Sequence, residues 1–263
     1  MPPGSPPSLP VGAAVARRFG PRYRWIILVI CALGTFEVNF HAYAFATLLP
    51  TLMQDLGLGN SQAGSLLSAY FITYGLMQIP IGYVADRFGP RRVMVASLTL
   101  FSVGVFLIPL ANNYATGLIT RLLVGLGASA IYVPELRLMP SWFAQRRLGL
   151  IYGLLSSGSS IGASIALISV PWLAGFYGWR GGYLITAATV PLVLLLVWCC
   201  LARPADVGLP PLPGTAPGPS GPLVPFGPVL RRVLTNRLIW PYGWGTAIYY
   251  GGVAGILAWA PTF

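Results

Sequence analysis

Glu37 and His41 stand four residues apart inside an apolar run, a spacing that places both on one face of a helix. A carboxyl group and an imidazole at membrane depth have the chemistry to bind and release a transported proton. The same two groups also read as a hydrogen-bonded pair that only fixes helix packing, a reading favoured for His41. Arg121 is a further ionisable group in an apolar stretch, and a guanidinium facing a water-filled cavity matches a carboxylate or phosphate through its planar fork. Its structural alternative is pairing with Glu37 or with backbone carbonyls. Tyr70, Tyr74 and Gln78 recur every four residues and form one polar stripe, which faces either a substrate cavity or a neighbouring helix. Tyr249, beside Tyr250, Gly251 and Gly252, could bring an aromatic ring to the same cavity, whereas Tyr242, Trp244 and Trp259 fit an interfacial belt. The chemistry expected is therefore solute binding by Arg121, Tyr70, Tyr74, Gln78 and Tyr249, with proton exchange at Glu37 and His41.

The elements that must position these groups follow from composition. The 263 residues are 56% hydrophobic and 8% charged, against about 25% charged in a soluble domain. An apolar run of about 20 residues crosses a hydrocarbon core about 30 Å thick. Seven runs reach that length, at 25–51, 61–83, 93–111, 116–140, 148–174, 182–201 and 238–263. The chain is thus expected to be an all-α polytopic membrane protein in contact with lipid. Residues 1–24 read as a Pro- and Gly-rich disordered tail, residues 25–201 as a six-helix bundle, and residues 202–237 as a linker whose prolines exclude a through-running helix. Residues 238–263 supply a seventh span, and the chain is expected to be partial because it stops directly after it.

Arginine placement sets the orientation. Fourteen of the sixteen basic residues fall in the tail and in alternate loops, so the amino terminus and the linker are expected in the cytoplasm and the protein in the inner (plasma) membrane. A formal charge of +11 distributed in this way reports topology rather than nucleic-acid binding. Cys31, Cys199 and Cys200 lie in apolar runs without metal-ligand spacing, so no metal and no cofactor is expected. No Ser/His/Asp set or histidine cluster appears at membrane depth, and an enzyme is not expected.

Between the second and third runs lies Gly82-Tyr83-Val84-Ala85-Asp86-Arg87-Phe88-Gly89-Pro90-Arg91-Arg92. The pattern G-x-x-x-D-R-x-G-x-R-R resembles the signature of the major facilitator superfamily, in the same place between helices two and three. Arg121 with Gly125, Gly127 and Ala128 resembles the family's fourth-helix element, and Trp142-Phe143 before Arg146-Arg147 resembles its next loop. Gly178-Trp179-Arg180, Arg203-Pro204 and Val207-Gly208-Leu209 are further family habits. The resemblance implies two three-helix repeats forming the amino-terminal bundle, followed by a seventh helix of a second bundle. A carboxyl-terminal six-helix half is then the expected partner of this chain. It also implies secondary active transport of a small solute, with Asp86, Arg87, Arg91 and Glu135 as a charge cluster that latches one state, on a loop shaped by Gly82, Gly89 and Arg92. Helix five lacks the Gly-Pro pair of drug antiporters, and Gln78 stands where nitrate porters place an arginine. A symporter of an anionic or polar metabolite is therefore preferred over drug or nitrate carriers. The seven runs would also suit a seven-helix receptor, although such a receptor normally has its amino terminus outside.

Overall fold

The computed structural model describes residues 19–209, 215, 226–241, 243–245, 248 and 252. Among them every regular element is helical. The α-helices are α1 (Tyr23–Leu56), α2 (Asn60–Phe88), α3 (Pro90–Leu107), α4 (Tyr114–Ser129), α5 (Tyr132–Trp142), α6 (Leu148–Ala187), α7 (Thr189–Cys200) and α8 (Phe226–Thr235). Four helical stretches, Tyr23–Leu56, Pro90–Leu110, Tyr114–Trp142 and Gln145–Cys200, are each long and apolar enough to cross a membrane. Within them Leu110, Ile168, Phe176 and Leu192 are strongly exposed.

Local chemistry explains the boundaries. Gly57 closes α1 in the left-handed region, at φ 62°. Gly89, at φ 85°, turns α2 into α3, and Pro90 opens α3 at the position where its missing N–H costs nothing. Asn113 Oδ1 accepts from the Thr116 N–H at 2.9 Å and starts α4.

Several boundaries differ from those read in the sequence. The expected span 116–140 falls within one membrane-length stretch that is divided into two helices by a turn at Ala130 and Ile131, where Ala130 leaves helical geometry. The expected spans 148–174 and 182–201 share one helical element that reverses at a single residue, Gly178, at φ 68° and ψ 166°. A side chain on Gly182 would lie 2.9 Å from the Ala174 nitrogen, so the two arms run back against each other. Tyr23, placed in the tail by the sequence reading, is fully buried; its ring stands edge-on to Trp142 and its hydroxyl donates to the Cys200 carbonyl at 2.5 Å. The segment 202–237 contains α8, whose Pro228 sits in the first turn, where proline is tolerated. Of the described positions of the seventh run, Leu238 lies in a turn and the others are helical; the rest of that run lies outside the described residues.

α1 packs chiefly on α6, α2 and α3 on α4, and α7 on α3 and α1. The α1–α6 seam is built on glycine: a Cβ at Gly162 would lie 2.5 Å from the Phe36 carbonyl oxygen, and Gly158 meets the Ala32 carbonyl in the same way. Leu48, Leu66, Met94, Leu98, Phe101 and Leu155 fill the space between the helices.

Candidate functional site

Glu37 and His41 lie one turn apart on α1 and both are buried, Glu37 at 2% exposure. Glu37 Oε2 approaches His41 Nε2 at 3.4 Å and accepts a hydrogen bond from Thr189 Oγ1 at 3.0 Å. Neither ring nitrogen of His41 makes a hydrogen bond. The imidazole is enclosed by the rings of Phe40, Phe101 and Tyr183, at centroid distances of 5.2, 5.8 and 5.6 Å. The pair therefore points between α3, α6 and α7.

Arg121 projects from α4 into the bundle at 1% exposure. Its Cζ lies 4.0 Å from the Phe45 ring centre and 4.7 Å from that of Tyr70, a cation sandwiched between two π faces. Nε donates to the Leu66 carbonyl at 3.1 Å, while Nη1 is buried without a partner. The hydroxyl of Tyr183 is also buried without a partner and lies within electrostatic reach of Arg121. Among the described residues Arg121 forms no ion pair with Glu37; the two are linked instead through Tyr183, whose ring touches His41. The sequence reading missed Tyr183 and Thr189, because what makes them important is an approach across the fold from α1 and α4.

The tyrosine stripe is partly gathered here. Tyr70 is buried, and Tyr74 stacks on it at 5.9 Å with an interplanar angle of 17°. Gln78, a turn further along α2, is half-buried and outside this ring cluster. Tyr249 lies outside the described residues.

At the arginine-rich end the expected four-residue cluster is not assembled. Asp86 pairs with Arg137 from α5, and the guanidinium passes close to Gly82, where a Cβ would stand 3.2 Å from Nη2. Arg91 donates through Nε to the Trp198 carbonyl at 3.1 Å, tying α3 to α7. Arg87 lies against the Phe88 ring and Arg92 is exposed. Glu135 turns away to α1, where Thr35 Oγ1 donates to its Oε2 at 2.5 Å. The reason is helical register: residues two apart project about 200° apart, so Arg137 and Glu135 cannot share a face. At the opposite end Arg180, part of the Gly178-Trp179-Arg180 element, donates to Asp55 Oδ2 at 2.6 Å and to the carbonyls of Pro109 and Ala111 at 3.0 and 3.2 Å.

Among the described residues no three His, Cys, Asp or Glu side chains group as a metal site. The family model described as Major Facilitator Superfamily matches residues 31–263. The chain is 28% identical over 184 residues to a gallate transporter of Pseudomonas putida, covering 70% of this chain and 41% of the relative. It is 31% identical over 178 residues to a galacturonate transporter of Dickeya chrysanthemi, covering 66% and 50%. A hexuronate transporter of Escherichia coli (strain K12) is 27% identical over 175 residues, covering 66% and 40%. The chain thus spans about half, or less, of the length of these curated relatives. In fold it is similar to a bacterial homolog of the human lysosomal transporter Spinster in an inward-facing, unoccupied conformation, with a TM-score of 0.70 at 18% identity over 90% of this chain and 55% of that one. A proton:xylose symporter bound to 6-bromo-6-deoxy-D-glucose gives 0.61 at 16% identity, over 70% and 46%.

Proposed function

This chain belongs to the Major Facilitator Superfamily, and on that footing we propose that it forms the first half of a secondary carrier moving a small carboxylate by alternating access, coupled to a proton. The observation that carries the reading is the pair of unused donors at the centre of the bundle, Arg121 Nη1 and the Tyr183 hydroxyl. A buried donor without an acceptor costs about 1–3 kcal/mol, and an incoming carboxylate satisfies both at once. The relatives are named for gallate, galacturonate and hexuronate, each a carboxylate. Tyr70 and Tyr74 line the approach to Arg121, and Gln78 and Tyr249 are assigned to the same solute path.

Glu37 and His41 take the proton. The ring of Tyr183 stands between His41 and the neighbourhood of Arg121, so a proton on one side and an anion on the other act on a shared group. Protonation removes a buried charge and lets the loaded carrier reorient, which links the two movements. The Asp86–Arg137 pair, on the loop of Gly82, Arg87, Gly89, Arg91 and Arg92, serves as a gate that breaks when that end opens. We place that end and the amino terminus in the cytoplasm of a plasma-membrane protein, with the carboxyl-terminal half completing the solute site. Nothing in this scheme calls for a cofactor or for enzymatic chemistry.

The test is uptake into proteoliposomes holding the complete protein. Galacturonate or gallate should accumulate under an acid-outside gradient, and excess of the corresponding carboxylate should compete while the neutral sugar does not. Equal competition by the neutral sugar would defeat the carboxylate assignment.

A further inference from the structure

Glu135 takes no part in the path just described, yet it is completely enclosed, at 0% exposure. α5 begins after the break at Ala130 and Ile131, which places Glu135 in the first turn, its N–H donating to the Ile131 carbonyl at 3.3 Å. From there the side chain crosses to α1 and meets Thr35. Its second oxygen, Oε1, is buried with no partner. Gly34 keeps the space for it: a Cβ at that position would lie 2.7 Å from Oε1.

Among the described residues no cation balances this acid. Among the described residues the ion pairs are His41–Glu37, Arg137–Asp86 and Arg180–Asp55. On α1 the titratable neighbour is Cys31, buried one turn before Thr35, while Glu37 is turned to Thr189. α2 brings Asp86, held by Arg137, Arg87, which lies on Phe88, and the half-buried Tyr83. On α3, Arg91 is committed to Trp198 and Arg92 is exposed; on α6, Tyr152 donates to the Leu136 carbonyl at 3.2 Å. A carboxylate enclosed without a cation is costly, whereas the start of a helix gives an anion some relief. A neutral carboxyl and a hydroxyl can share one contact in either direction, so the position accommodates a proton without rearrangement.

We propose that Glu135 and Thr35 form a second proton-binding site, separate from Glu37 and His41, which seals α1 against α5 when occupied and loosens that seam when the proton leaves. The site deepens the proton-coupled reading and rests on it only for its place in the transport cycle.

Infrared difference spectroscopy of the reconstituted complete protein tests this with pH as the sole probe and no solute present. A carbonyl band of a buried, protonated carboxyl should disappear as pH rises. In a Glu37→Gln background, which removes the other buried acid, the pH-dependent band should remain, be lost on adding Glu135→Gln and shift on adding Thr35→Val. Absence of the band in the Glu37→Gln protein, or its survival in the Glu37→Gln/Glu135→Gln double variant, would overturn the assignment. Should Glu135→Gln fail to fold, Thr35→Val, which preserves volume, decides: an unshifted band overturns the site. Solute accumulation that ignores an imposed pH gradient would instead defeat the proton-coupled reading and leave the band assignments standing.

Discussion

Glu37 and Glu135 are both enclosed acids that meet α1, and they differ in what surrounds them. Glu37 touches an imidazole and the hydroxyl of Thr189, whose side chain is exposed, so its oxygen is connected to the rim of the bundle. Through His41 and Tyr183 it is also connected towards Arg121. Among the described residues Glu135 has one hydroxyl, the space above one glycine and the buried Cys31 nearby, with no hydrogen bond leading onward. Depth alone therefore does not define a role: the first acid sits in a chain of groups that can pass on a change of charge, and the second sits in a seam that can only close or loosen.

Four substitutions break or sharpen this contrast. Gly162→Val should have the largest effect, because its Cβ would press on the Phe36 carbonyl and part the α1–α6 seam on which the Glu37 side depends. Overpacking of this kind costs about 3 kcal/mol, and the loss should appear as a low yield of monodisperse protein in detergent. Glu37→Gln comes next. It should retain solute exchange but lower pH-driven accumulation by about tenfold or more, the usual scale of coupling between two ligands; full accumulation would return Glu37 to a packing role.

Arg121→Lys keeps the charge but loses the planar fork and its stacking on Phe45 and Tyr70. Carboxylate affinity in a binding assay should fall by about tenfold, or about 1.4 kcal/mol, without loss of proton exchange at Glu37. Asp86→Asn removes an ion pair whose side chains are 27% and 45% exposed. The expected change in thermal stability is below about 1 kcal/mol, with slowed turnover in transport assays as the sign of a gate. Unchanged turnover would leave the pair as a surface contact.

The helical class and the family motif are legible because apolar run length and loop glycine are properties of consecutive residues. Glu37, His41 and Arg121 stand out for the same reason, as ionisable groups in apolar sequence. What was not legible depends on approach between distant segments. Tyr183 looks like an ordinary aromatic until α6 carries it to His41. Arg137 looks like one more loop arginine until helical register turns it to Asp86 and turns Glu135 the other way. The break at Ala130 and Ile131 has no proline or glycine at those two positions to announce it.

The reversal at Gly178 has a consequence for how the protein is made. With one residue of connection, the arms of α6 lose almost no chain entropy when they come together, so they can pair as soon as both have left the ribosome. Arg180, two residues later, finds its acceptors only on segments already synthesised: Asp55 at the end of α1, and Pro109 and Ala111 after α3. The expected order is therefore that the hairpin pairs first and is fastened to the earlier helices afterwards, through Arg180.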